Sequence, residues 1–358
     1  MADGPAKKGA FYIPALDGIR TVAFFIVFFA HAGLAHVIPG GFGVTVFFFL
    51  SGFLITSLLR RELELSGDIS FKDFYLRRAL RIFPPMYLTL GVAVILSLAG
   101  VLPEPLQASR VGAQALHLTN YFMIFRSADG MPAGTGVYWS LAVEEHFYLA
   151  FPLLLWLMRR LSPSRQALLL LIACVVVLIW RCVLVFAFDS HSDRTYLATD
   201  TRIDNILFGC IMGVWMNPYM DEVRVRRTST KVLILVAAAL LLTLSFVYRD
   251  PAFRETLRYT LQGMALFGVF YVVVANDDWL AFRWLQLRFV RFLGYLSYTL
   301  YLSHQIAIYG VQSQWPEGHP VAQGALAFAL SFLFSYAMYR VVETPLAALR
   351  SRLHKKPA

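Results

Sequence analysis

Arg20 and His31 stand eleven positions apart in a mostly apolar stretch running from Ala15 to His36. Eleven helical steps of about 100° return to nearly the same face, and ~1.5 Å per residue separates the two by roughly 16 Å along the axis. A guanidinium and an imidazole on one face of such a helix are costly unless they line a cavity. Glu144 and Glu145 lie in another apolar stretch. Counted from the ends of their stretches, His31 and the two glutamates sit at matched depth, roughly 8–10 Å below the same surface at ~1.5 Å per residue. A carboxylate beside an imidazole fixes its tautomer and stabilises the imidazolium. That pairing suits a general base removing a proton from a hydroxyl. The alternative is an interfacial histidine and two glutamates that only support packing.

The segment from Phe71 to Pro85 adds Arg77, Arg78 and Arg81. Arg78 and Arg81 are three apart and share a helix face. Clustered guanidiniums favour phosphate, although basic residues at a membrane's inner face also meet lipid headgroups. Ser51, in a Ser-Gly pair, is either a nucleophile or a packing residue. Ser297, Tyr298, Tyr301 and His304 share one stretch, with His304 a second candidate lining residue. Arg340 and Glu343 are three apart and are expected to form an internal ion pair.

These groups must be positioned by elements of a particular kind. Of the 358 residues, 58% are hydrophobic and 15% charged, against about 25% charged in soluble domains. The apolar runs are continuous rather than alternating. The chain is therefore expected to be an all-α polytopic membrane protein, since only helices and closed barrels span bilayers and barrels alternate. The N-terminal run has no well-placed cleavage site, so the first span is expected to be retained. A net charge of +10 is read as membrane topology, with no nucleic-acid partner. Cys174, Cys182 and Cys210 lie in apolar runs without metal-ligand spacing, and they are expected to be core residues with no metal bound.

Ten spans are expected, near 15–36, 43–60, 82–102, 138–158, 166–188, 201–216, 231–248, 257–275, 291–311 and 322–343. The sixth is the least secure, being short and carrying Arg202, Asp204 and Asn205. With the N-terminus inside, twenty-two Lys and Arg fall in inner segments and seven in outer ones. That bias puts both termini in the cytoplasm. The division is a tail over 1–14, a membrane domain over 15–343 and a basic tail over 344–358. The longest outer segment, Leu102 to Val137, has an apolar middle expected to fold back on the membrane and offer substrate contacts.

Several stretches, in order, resemble the acyltransferase-3 family of integral membrane acyltransferases. They are Leu16-Asp17-Gly18-Ile19-Arg20 with His31, Gly43-Val44 through Phe48 to Ile55, Phe74 to Pro84, Trp139-Ser140-Leu141-Ala142-Val143-Glu144-Glu145-His146-Phe147-Tyr148, Ser297-Tyr298 with Tyr301-Leu302 and His304, and Glu343-Thr344-Pro345. The resemblance implies a catalytic His31, an essential glutamate at Glu144 or Glu145, and Arg20, Arg78 and Arg81 holding an acyl-coenzyme A, commonly acetyl. Arg77 belongs to the same basic group. Ser51, Trp139, Ser140, Tyr298 and His304 are candidate lining residues. His146 stands where the family usually has Gln, and Gln305-Ile306 where Pro often follows the histidine. These departures bear on the acceptor pocket.

The expected activity is membrane O-acyl transfer. His31, oriented by Glu144, deprotonates an acceptor hydroxyl that attacks the thioester directly, with a covalent acyl group on Ser51 or His31 as a variant. The acceptor is a glycan, a lipid-linked sugar or a macrolide-type metabolite, acyl-coenzyme A is a co-substrate, and no cofactor is permanently bound. The resemblance implies the bacterial cytoplasmic membrane. No appended esterase-like domain is evident, so the bundle is expected to act alone or pass its acyl group to another protein. Rival readings are a transporter or flippase of a polar lipid or sugar, since buried Arg, His and Glu also mark transport routes, and an inactive scaffold. No inverted repeat with broken spans favours transport.

Overall fold

The computed structural model describes residues 12–103, 106–221 and 227–353. Ten long helices lie where the ten apolar stretches are: α1 Pro14–Phe29, α2 Gly40–Ser66, α3 Phe71–Leu98, α4 Tyr138–Met158, α5 Pro163–Phe186, α6 Thr199–Val214, α7 Thr228–Val247, α8 Leu257–Ala275, α9 Arg288–Gln314 and α10 Pro320–Met338. No strand occurs among the described residues. Eight of the ten are long and apolar enough to cross a membrane. The other two are α6, with 16 residues, and α9, with 27.

Their polarity has a packing explanation. Helix α6 lies between α2, α5 and α8, and Arg202, Asp204 and Asn205 on it are fully buried. Protein replaces lipid around it, so its side chains need polar partners rather than an apolar surface. Arg181 on α5 gives Asp204 two hydrogen bonds, of 2.9 and 2.7 Å. Asn205 donates to the Tyr259 carbonyl over 2.9 Å. Arg202 donates to Asn205 Oδ1, the Tyr196 carbonyl and Thr45 Oγ1, with its guanidinium 4.2 Å from the centre of the Tyr259 ring.

Small residues allow the close approach. A Cβ on Gly52 of α2 would strike the Ile206 carbonyl of α6, and one on Gly209 of α6 would strike the Phe49 carbonyl of α2. Gly294 of α9 meets the Asp17 carbonyl of α1 in the same way. Association inside a bilayer depends on such backbone proximity, because burying apolar side chains from lipid supplies no driving force.

Two features bear directly on the site. After α1 the chain forms a π-helical turn, Ala30–Leu34, which Gly33 ends at φ 106°. The outer segment folds as two short helices, Ala108–Ala115 and Thr119–Arg126, followed by a stretch whose residues 130–135 turn inward and are buried. Gln114 Nε2 donates to Thr135 Oγ1 over 2.6 Å, and Thr135 in turn to the Pro132 carbonyl.

Thr344–Leu353, in the segment expected as a tail, is helical and packs on α3. The tail lysines Lys7, Lys8, Lys355 and Lys356, and Arg224 and Arg226, lie outside the described residues. Cys174 and Cys210 are buried and Cys182 is half-buried.

Candidate active site

Three cavities follow one another through the bundle. Arg20, Arg78, Arg81, Tyr298, Asp17 and Glu343 line the one nearest the start of α1. The middle cavity shares Arg20, Arg78, Arg81 and Tyr298 with it and adds Ser51, Ser140, Glu144, Tyr148 and Tyr301. The third shares Val44 and Tyr301 with the middle one. Its walls include His31, Trp139, Tyr196, Gln305 and residues 131–134 of the outer segment. Arg20 thus lines the first and middle cavities and His31 the third.

Arg20 and Arg78 have partners of their own. Asp17 accepts from Arg20 Nη1 over 3.2 Å and from the Tyr12 hydroxyl over 2.7 Å. The Tyr12 oxygen in turn accepts from Arg291 Nη2 over 2.7 Å. The Arg78 guanidinium sits 5.1 Å from the centre of the Tyr148 ring. Arg77 is different: it points away from the cavities and pairs with Glu62 at 3.1 Å. One step of about 100° separates neighbouring side chains, so Arg77 and Arg78 cannot share a face, and the grouping of Arg77 with the anion-binding residues is corrected.

Glu144 faces the middle cavity. Its Oε1 accepts from Ser51 Oγ over 2.7 Å and its Oε2 from the Tyr148 hydroxyl over 3.2 Å. Glu145, the next residue on α4, is half-buried and lies outside the lining of these cavities. Ser140 Oγ and the Tyr301 hydroxyl lie 2.7 Å apart where the middle and outer cavities meet. The Tyr298 hydroxyl donates to the Ile82 carbonyl over 2.9 Å. Trp139 borders the outer cavity, 4.9 Å from Tyr196 between ring centres.

His31 does not pair with Glu144. Its Nδ1 lies 2.8 Å from Nε2 of His304, with the rings stacked at 5.1 Å and 8°. His31 faces α9, while Ser51 and Tyr148 occupy the Glu144 carboxylate. The direct His31–Glu144 contact expected from depth is therefore corrected: depth fixes height in the bundle but not azimuth. His304 is fully buried, and its Nδ1 lies 2.8 Å from the Tyr301 carbonyl.

The Arg340–Glu343 pair is likewise not found among the ion pairs of the described residues. A second π-helical turn, Tyr339–Glu343, spoils the three-residue alignment, and Glu343 accepts from Thr299 Oγ1 over 2.5 Å. His146, where the sequence departs from the family's Gln, has Nδ1 2.7 Å from Thr199 Oγ1.

Cavities lined by the arginines, by Glu144 and by His31 thus lie side by side inside a helical bundle suited to a bilayer. Comparison with known proteins makes this specific. The family model described as an acyltransferase domain, Acyl_transf_3, matches residues 13–340, and the chain belongs to the acyltransferase-3 family. It is 30% identical over 348 residues to the O-acetyltransferase OatA of Staphylococcus aureus, covering 94% of this chain and 57% of that protein. It is 28% identical over 351 residues to the peptidoglycan O-acetyltransferase OatA of Listeria monocytogenes, covering 94% of this chain and 56% of that protein. The chain thus spans a little over half the length of these relatives. No solved structure matches it.

Proposed function

We propose that this chain transfers an acyl group, acetyl in the first instance, from cytosolic acyl-coenzyme A to a hydroxyl group presented at the outer face of a bacterial cytoplasmic membrane. In this reading the ten long helices form the membrane domain, with both termini cytoplasmic as the charge bias indicates. The observation that carries the reading is the shared lining of the three cavities, arginines at one end and His31 at the other.

Arg20, Arg78 and Arg81 hold the anionic headgroup of the donor. Guanidiniums suit its phosphates because their planar forks present several donors at once. The pantetheine arm threads the middle cavity past Ser51 and Glu144. The thioester then reaches the neighbourhood of Val44 and Tyr301, where the middle and outer cavities meet. His31 takes the acceptor hydroxyl's proton as the oxygen attacks the thioester carbonyl. The carbon–sulfur bond breaks, and the leaving thiolate recovers that proton from the imidazolium. Positioning and general-base catalysis are the two effects invoked.

The acceptor enters the outer cavity, between Trp139, Tyr196 and the inward turn of the outer segment. Aromatic walls with amide and hydroxyl groups suit a sugar hydroxyl. The Listeria relative's name points to peptidoglycan as one such acceptor, and lipid-linked sugars and macrolide-type metabolites share the same chemistry. The test is coenzyme A release and labelled acyl transfer in membranes supplied with acetyl-coenzyme A and candidate glycans. Wild-type protein is expected to turn over, and a His31→Ala protein made at equal level is expected to be inactive. Full activity in that variant overturns the mechanism.

A further inference from the structure

We propose that His304 is a positioning residue that locks the tautomer of His31, making Nε2 of His31 the atom that receives the acceptor's proton. The proposal rests on the acyl-transfer reading above and adds a residue and a proton position to it.

The argument starts at a carbonyl. The Tyr301 oxygen has no hydrogen to give, so His304 Nδ1, 2.8 Å away, must carry the proton of that bond. His304 is fully buried, with Phe24 edge-on at 5.9 Å and Phe28 at 6.3 Å. A charged imidazolium there would be a buried cation with no carboxylate bonded to it among the described residues, at high desolvation cost. His304 is therefore neutral, and its Nε2 is a lone pair. His31 Nδ1, 2.8 Å from that lone pair, must be the donor. One assignment satisfies both bonds: each ring carries its proton on Nδ1.

The consequence falls on the other nitrogen of His31. Its Nε2 is left unprotonated, and it makes no hydrogen bond with the described residues. The half-buried ring borders the outer cavity. When Nε2 takes a proton, the imidazolium's Nδ1–H already points at an acceptor, so no group has to rotate. A neutral histidine here occupies the place that a carboxylate holds in the Ser-His-Asp arrangement.

Three variants and one spectrum test this. His304→Leu removes the acceptor and frees His31 to take either tautomer. Its kcat is expected to fall about 100-fold, within the range general-base catalysis contributes, with KM for acetyl-coenzyme A unchanged because the arginines lie at the far end of the route. His304→Gln keeps an oxygen for His31 and an N–H for the Tyr301 carbonyl, and it is expected to restore kcat to within about tenfold of wild type. Nitrogen-15 spectra of histidine-labelled protein in bilayers are expected to show His31 protonated on Nδ1 and bare on Nε2. An unchanged kcat in His304→Leu, or a spectrum with His31 protonated on Nε2, overturns the assignment. An inactive His31→Ala beside a fully active His304→Leu overturns this proposal alone, a fully active His31→Ala overturns the general-base mechanism beneath it, and a wild-type protein that releases no coenzyme A overturns the acyl-transfer reading itself.

Discussion

Ser51 Oγ on α2 donates to Glu144 Oε1 on α4 over 2.7 Å, in the same cavity as Arg20, Arg78 and Arg81. The Tyr148 hydroxyl completes the contact at 3.1 Å from Ser51 and 3.2 Å from Glu144. The Glu144 carboxyl group thereby sits among three arginines without a direct ion pair to any of them. Glu144→Ala leaves two hydroxyls without their acceptor, and a hydrogen bond to a charged group contributes about 1.5–3 kcal/mol. Activity is expected to fall roughly 10- to 100-fold, and Glu144→Gln, which keeps one acceptor oxygen, to fall less. Initial rates of coenzyme A release measure both, and equal losses in the two variants would show that the charge rather than the acceptor matters.

Arg77 and Arg78 are neighbours in sequence with opposite fates. Arg78→Ala and Arg81→Ala are expected to raise the KM for acetyl-coenzyme A about tenfold or more, as loss of a charge-assisted phosphate contact does. Arg77→Ala breaks only the partly exposed bond to Glu62 and is expected to leave KM within about twofold, since such pairs contribute about 0–1 kcal/mol. A KM change in Arg77→Ala equal to that in Arg78→Ala would contradict the placement of these side chains.

Arg181 and Asp204 are both fully buried. Removing one partner strands the other's charge, at about 3–5 kcal/mol. Arg181→Ala is expected to lower the thermal midpoint in detergent sharply. A paired Arg181→Met with Asp204→Leu is expected to recover much of that loss. Tryptophan fluorescence during heating gives both numbers, and additive losses in the double variant would refute the account.

Gly209 tests the close approach of α2 and α6, with Gly91 on α3 as the control. Nothing lies within 4 Å of a Cβ built on Gly91, so Gly91→Ala is expected to be neutral or to stabilise by about 0.5–1 kcal/mol. Gly209→Ala drives a Cβ into the Phe49 carbonyl, and overpacking costs about 1–3 kcal/mol. Size-exclusion profiles and thermal midpoints separate the two.

His117, in the outer segment, has its pKa pushed down to about 4, by burial first and the nearby His146 second. Its Nε2 has no partner among the described residues. The folded form therefore binds its proton less readily than the unfolded chain, whose histidine titrates near 6.5. Stability is fully present above that value and is lost as pH falls from there through about 4. His117→Phe is expected to flatten that part of the pH profile in thermal unfolding experiments, and an unchanged slope would assign the acid sensitivity elsewhere.

The sequence by itself determined the class of fold and named candidates for the site. Continuous apolar runs force helices, because a bilayer leaves backbone groups no other partners, and all ten long helices lie on those runs. Arg20, Arg78, Arg81, Ser51, Glu144, Tyr298 and His31 line three neighbouring cavities. Hydropathy weakens for α6 and α9 because those helices meet protein on most sides, so their polar residues answer neighbours rather than lipid. Tertiary structure alone decided which groups touch. Spacing along a helix sets depth, but azimuth and the packing of neighbouring helices choose the partner. That is why His31 meets His304 rather than Glu144, and why Glu343 meets Thr299 rather than Arg340.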